Sequence, residues 1–139
     1  MIAHLPLIVD ASVALKWVCG EEGSERALEL LGFPSLQAPS IWISECANAL
    51  WRRVLQGTLS QEQSERGLSL LADVPVRSVD LTELVPTAFQ LALSLRHPVY
   101  DCLYVAAAQR CGGTVITADR RFHAALQGNP VLAPLIRLL

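Results

Sequence analysis

In Leu5-Pro6-Leu7-Ile8-Val9-Asp10-Ala11-Ser12 an apolar run stops on a carboxylate, and a helical pattern starts at once. Leu7, Ile8 and Val9 show no alternation of apolar and polar residues, as expected of a strand covered by helices on both faces. In open α/β sheets, ligands collect beyond the carboxyl ends of such strands. Asp10 would be delivered to that edge, with Ser12 two residues on as a candidate cap for the following helix. A strand-end Asp also serves as a turn or capping residue, and from this stretch alone both readings stand.

Working outward, the pattern predicts a short helix over 11–19, an acidic loop at Glu21-Glu22-Gly23, and a second helix from Ser24 to Leu31. Gly32-Phe33-Pro34 breaks it. Leu36-Gln37-Ala38 reads as a strand before Pro39 and Ser40 open a longer helix ending near Gly57. Ser60-Gln61-Glu62-Gln63 is a capping box for a helix to about Ala72. Pro75–Val79 reads as a strand. Asp80 or Thr82 then caps a helix to Arg96, in which Pro86 is tolerable only near the first turn. After His97-Pro98 a helix from Val99 to Cys111 ends in Gly112-Gly113. Thr114-Val115-Ile116-Thr117 is a β-branched strand running into Ala118-Asp119; a short helix spans Arg120–Gln127, and Val131–Leu139 is a final strand interrupted by Pro134. Strands alternating with helices argue for a three-layer α/β/α sandwich on a mostly parallel sheet of four to five strands.

The 139 residues suit one domain, residues 1–139. With 52% hydrophobic and 17% charged residues the composition is globular. A net charge of -2 gives no global basic field, so any nucleic-acid contact must be local or metal-mediated. Cys19, Cys46, Cys102 and Cys111 form no C-x-x-C pair and read as reduced core residues. No basic leader or membrane-length apolar run is present, so a cytoplasmic protein is expected.

Four carboxylates need weighing. On a helix, Asp101 shares its face with Tyr104, Val105 and Ala108. An acid on an apolar face is costly unless paired, which favours a buried functional acid over simple complementation of the helix dipole. Asp119 repeats the Asp10 pattern, with Thr117 two residues before it. Two strand-end acids on one edge raise each other's pKa unless a cation is present. Glu45 lies with Asn48 and Arg52 opposite the apolar stripe Ile43, Ala47, Leu50 and Val54, which reads as a solvated face.

Four blocks, Ile8–Ser12, Ser44-Glu45 with Asn48-Ala49-Leu50, Tyr100–Ala108 and Thr117–Phe122, together resemble the PIN domain, and specifically VapC-type toxins of toxin–antitoxin pairs. The resemblance implies a parallel sheet flanked by helices, an acidic pocket binding Mg²⁺ or Mn²⁺, endoribonuclease activity on RNA, a cognate antitoxin and a homodimer. It makes Asp10, Glu45, Asp101 and Asp119 the acidic quartet, Asp10 and Asp101 the metal ligands, and Ser12, Asn48 and Thr117 their polar support. Hard oxygen donors suit those ions. Glu45 or Asp119 could orient the attacking water.

Lys16 is the only lysine, so phosphate contacts fall to it and to arginines such as Arg52, Arg53, Arg120 and Arg121, each of which also reads as an ordinary surface charge. His97 and His123 match no pattern and read as structural or exposed. Trp17, Trp42 and Trp51 read as core or partner-interface residues. The two short helices of Val13–Leu31, with Val13, Trp17, Val18, Leu28 and Leu31, are expected to form a groove for an antitoxin segment. A haloacid-dehalogenase-type phosphotransferase needs an Asp where Ser12 stands, and a receiver domain needs a late strand-end lysine. A stand-alone nuclease or a non-catalytic PIN-like binding module is the alternative.

Overall fold

The computed structural model describes residues 5–139. Its sheet has five strands, all parallel, β1 (Leu7–Val9), β2 (Leu36–Pro39), β3 (Val76–Val79), β4 (Thr114–Thr117) and β5 (Ile136–Leu138), in the order β3-β2-β1-β4-β5. Ile8 pairs with Gln37 on one side and Val115 on the other. The apolar stretch around Ile8 is therefore the central strand, as its unbroken hydrophobicity requires.

The helices are α1 (Ala11–Ala14), α2 (Ser24–Glu29), α3 (Trp42–Leu55), α4 (Gln61–Asp73), α5 (Leu81–Leu95), α6 (Val99–Cys111) and α7 (Arg120–Gln127). The chain steps from β1 outward to β3, then crosses back to β4 on the other side of β1. With right-handed crossovers, α1 to α4 cover one face of the sheet and α5 to α7 the other. Contacts agree: α3 packs on α1 and α4, while α6 lies on β1, β2 and β4 beneath α5. That sandwiched position explains why Cys102 through Ala108 are all buried.

The expected α/β/α sandwich is found, with adjustments at the element ends. The first two helices are shorter than expected and tighten into 3₁₀ turns at Leu15–Trp17 and Leu30–Gly32. Ser60 and Gln63 form the expected capping box, and Asp80 rather than Thr82 caps α5, its carboxylate accepting from the Thr82 N–H at 2.9 Å. Pro86 sits in the second turn of α5, not the first. Pro134 lies in a 3₁₀ turn, leaving β5 only Ile136–Leu138.

The groove expected over Val13–Leu31 is only partly built from those residues: Val18 to Glu21 contribute to it, and Val13 and Trp17 do not. Val13 is completely buried, because α1 is pressed between β4 and α3. Trp17 is half-buried and donates its indole N–H to the Ala27 carbonyl at 2.7 Å, which ties the two short helices together. A cavity of about 700 Å³ lies next to them instead, where Val18 and Glu21 meet Leu50 and Arg53 of α3 and Gly67 and Leu70 of α4. Among the described residues no helix is long and apolar enough to cross a membrane.

Candidate active site

The strand order reverses between β1 and β4, and this crevice is where an open α/β sheet presents its ligand site. Asp10 stands at the end of β1, 6% exposed, beside Thr117 at the end of β4, which is completely buried. One carboxylate oxygen, Oδ2, accepts from the Ser12 hydroxyl at 2.7 Å and from the Thr117 hydroxyl at 2.7 Å. Ser12 Oγ in turn accepts the Ala118 N–H at 3.0 Å, and Thr117 Oγ1 the Asp119 N–H at 3.0 Å. Two hydroxyls and two backbone amides thus fix the Asp10 side chain from one side. Ser12 was expected as a cap, but α1 has no side-chain cap; its hydroxyl is spent on Asp10.

Burial raises the pKa of Asp10 against the lowering effect of the two hydroxyls, and the Asp101 charge raises it further. Asp101 arrives from the first turn of α6. It pairs with His97, whose Nε2 lies 2.7 Å from Oδ2, and the imidazole stacks on Phe122 of α7 with ring centroids 5.8 Å apart. Of the two readings given for His97, structural or exposed, the structural one fits: the half-buried ring holds the Asp101 carboxylate.

Glu45 corrects the expectation of a solvated face. It is half-buried, and its carboxylate accepts from the hydroxyl of Tyr104, a completely buried residue one helical turn after Asp101. Desolvation raises its pKa, opposed by the Tyr104 hydrogen bond, and Asp10 and Asp101 raise it further. The Tyr104 phenol itself is shifted upward by burial and by Asp10 and Glu45, so it remains a donor at any working pH. Tyr104 had been read only as part of an apolar face.

Three of the four acids thus share one electrostatic neighbourhood. Asp119 stands beside it, but its carboxylate caps α7, accepting from the N–H groups of Arg121 at 2.9 Å and Phe122 at 3.2 Å. Asn48 is exposed one turn after Glu45 and lines a pocket with it and Arg52. Lys16 is engaged by the Glu22 carbonyl at 2.6 Å, though it borders a second pocket shared with Arg26 and Arg120. Arg121 is exposed on α7.

The donor set of Asp10, Glu45 and Asp101 consists of hard oxygens whose mutual repulsion a divalent cation would relieve. Among the described residues, no trio of His, Cys, Asp and Glu side chains is gathered as a ready-made metal cage.

A PIN domain family model matches residues 7–125. Ribonuclease VapC3 of Pyrobaculum aerophilum is 32% identical over 120 residues, covering 84% of this chain and 92% of that protein. The crystal structure of Mycobacterium tuberculosis VapC20, a sarcin-ricin loop cleaving toxin, superposes with a TM-score of 0.67 at 17% identity, over 86% of this chain and 94% of that one. A toxin–antitoxin complex from Klebsiella pneumoniae gives a TM-score of 0.60 at 18% identity, over 89% of this chain and 92% of that one. The two structures share the fold; the family model and the sequence relative go further, and with strand-end acids gathered at the reversal of strand order, the chain belongs to the PIN domain family, within its VapC branch.

Proposed function

We propose that the protein is a divalent-metal-dependent endoribonuclease, a VapC-type toxin that hydrolyses RNA phosphodiester bonds and is neutralised by a cognate antitoxin. The observation that carries this reading is that Asp10, held by Ser12 and Thr117 at the strand-order reversal, has Asp101 near enough to raise its pKa, and that both acids raise the pKa of Glu45. The names of the relative and the fold neighbours support it, being those of a ribonuclease, an RNA-cleaving toxin and a toxin–antitoxin complex.

Asp10 and Asp101 are the residues that would hold Mg²⁺ or Mn²⁺. When bound, such an ion supplies Lewis acidity to the scissile phosphate and to the attacking water. Ser12 and Thr117 both donate to Oδ2 of Asp10 and so fix the orientation of that carboxylate. His97 holds Asp101 in place. Glu45, with its pKa raised and its carboxylate steadied by Tyr104, is suited to take the proton of the attacking water. Asp119 orders the start of α7 and so presents Arg120 and Arg121 to phosphates, with Arg52 and Lys16 on the flanks.

Homodimer formation is part of the reading. Val85, Phe89 and Leu93 form an exposed apolar stripe on α5, and no charged residue occurs between Leu84 and Leu95, so two copies can meet there without repulsion. The antitoxin segment would use the cavity between α3 and α4. A cytoplasmic site of action follows from an RNA substrate.

Tightly induced expression in a bacterium tests the function. Growth arrest and new RNA ends clustered at one sequence are expected from the parent, and neither from Asp10→Asn. Cleavage by the variant equal to that by the parent contradicts the assignment.

A further inference from the structure

Beside the acidic edge lies a pocket that shares Glu45 and Arg52 with the hydrolytic site and extends past them to Tyr100. It has a volume of about 300 Å³ and is lined by Ile41, Ser44, Glu45, Asn48, Arg52 and Tyr100. Tyr100 directly precedes Asp101, yet its ring is 61% exposed while the following turns of α6 are buried. An aromatic residue held in solvent at the mouth of an acidic site offers a flat, rigid face. Ser44, Glu45, Asn48 and Arg52 all come from α3, at spacings that put them along one side of the helix. Arg52 and Arg53 are adjacent but differ in use. Arg53 is taken by Glu21 at 3.1 Å, whereas Arg52 is exposed on the pocket wall.

We infer that this pocket is a nucleobase subsite, in which an unpaired base next to the scissile phosphate stacks on Tyr100 while Asn48 meets its polar edge and Arg52 its neighbouring phosphate. The inference rests on the ribonuclease reading for its substrate. Charge selects the base as the occupant. The wall shared with the hydrolytic site is the Glu45 carboxylate, which repels a phosphate but tolerates a neutral heterocycle. Continuity selects RNA, because Glu45 belongs both to the pocket and to the acid cluster, so a chain seated on one necessarily passes the other. Single-stranded RNA supplies exposed base faces, and stacking on an aromatic side chain accepts any base. Hydrogen bonds from Asn48 would add a preference among bases.

The test is the binding of a short single-stranded oligoribonucleotide, followed by fluorescence anisotropy in EDTA so that no cleavage intervenes. Tyr100→Ala should weaken binding about tenfold, the scale of one lost base stack. Tyr100→Phe should bind as the parent does, since the ring face and not the hydroxyl is used. An abasic oligonucleotide of the same length should bind the parent and Tyr100→Ala equally. Thermal melting of Tyr100→Ala should match the parent, as expected for so exposed a residue. Unchanged affinity in Tyr100→Ala, or a loss that persists with the abasic chain, overturns the subsite. If binding behaves as stated but no cleavage appears when Mn²⁺ is added, the hydrolytic reading fails and the subsite stands.

Discussion

Asp10 carries its charge where burial and the neighbouring Asp101 both oppose ionisation, and Glu45 is placed similarly. A carboxylic acid whose pKa is higher folded than unfolded stabilises the fold most when protonated. That contribution is fully present below the ordinary carboxylate range and is lost as pH rises through the raised value. The metal-free protein therefore gains stability on mild acidification from neutral pH. Asp10→Asn keeps an acceptor for Ser12 and Thr117 but has no charge to bury. In EDTA at neutral pH it should melt no lower than the parent, and any advantage should shrink as pH falls. Thermal melting across that range checks this, and an Asn variant that melts markedly lower at neutral pH would make Asp10 a structural residue instead.

Among the elements, β4 depends on its approach to β1. A Cβ added at Gly113 would meet the Pro6 carbonyl oxygen far inside contact distance, and that oxygen also accepts the Thr114 N–H at 3.3 Å. Backbone cannot swing aside as a flexible side chain can. Gly113→Ala should cost about 1–3 kcal/mol, as overpacking does, read as a lower denaturant midpoint. Element identity was legible because its signals are local: the Ser60 capping box, the Asp80 cap, the left-handed Gly112 that ends α6, and the β-branched run of β4. Asp10 and Asp101 were legible for a similar reason, an acid breaking an apolar pattern. Glu45 was legible only through the family resemblance, since its own helix buries the opposite stripe and its partner Tyr104 lies 59 residues away. Val13 likewise looked available on a short helix, and only the packing of α1 between β4 and α3 buries it. Burial set by a distant element leaves no trace in local periodicity.

At the scale of the molecule, the arrangement of the site follows from a single topological event. After β3 the chain returns across the sheet to lay β4 against β1, and that return brings Asp101 on α6 and Thr117 on β4 to the Asp10 already waiting at the edge. Helix α3, on the opposite face, closes the crevice with Glu45. Two thiols near the site stay protonated, because burial lifts the pKa of Cys46 to about 12 and that of Cys102 to about 11. What remains at the edge is a set of carboxylate oxygens whose repulsion a bound cation would relieve. Cleavage of single-stranded RNA by the purified protein, with and without EDTA, tests this most directly. The account predicts no cleavage in EDTA, recovery on adding Mn²⁺ or Mg²⁺, and no recovery for Asp10→Asn; undiminished cleavage in EDTA would contradict it.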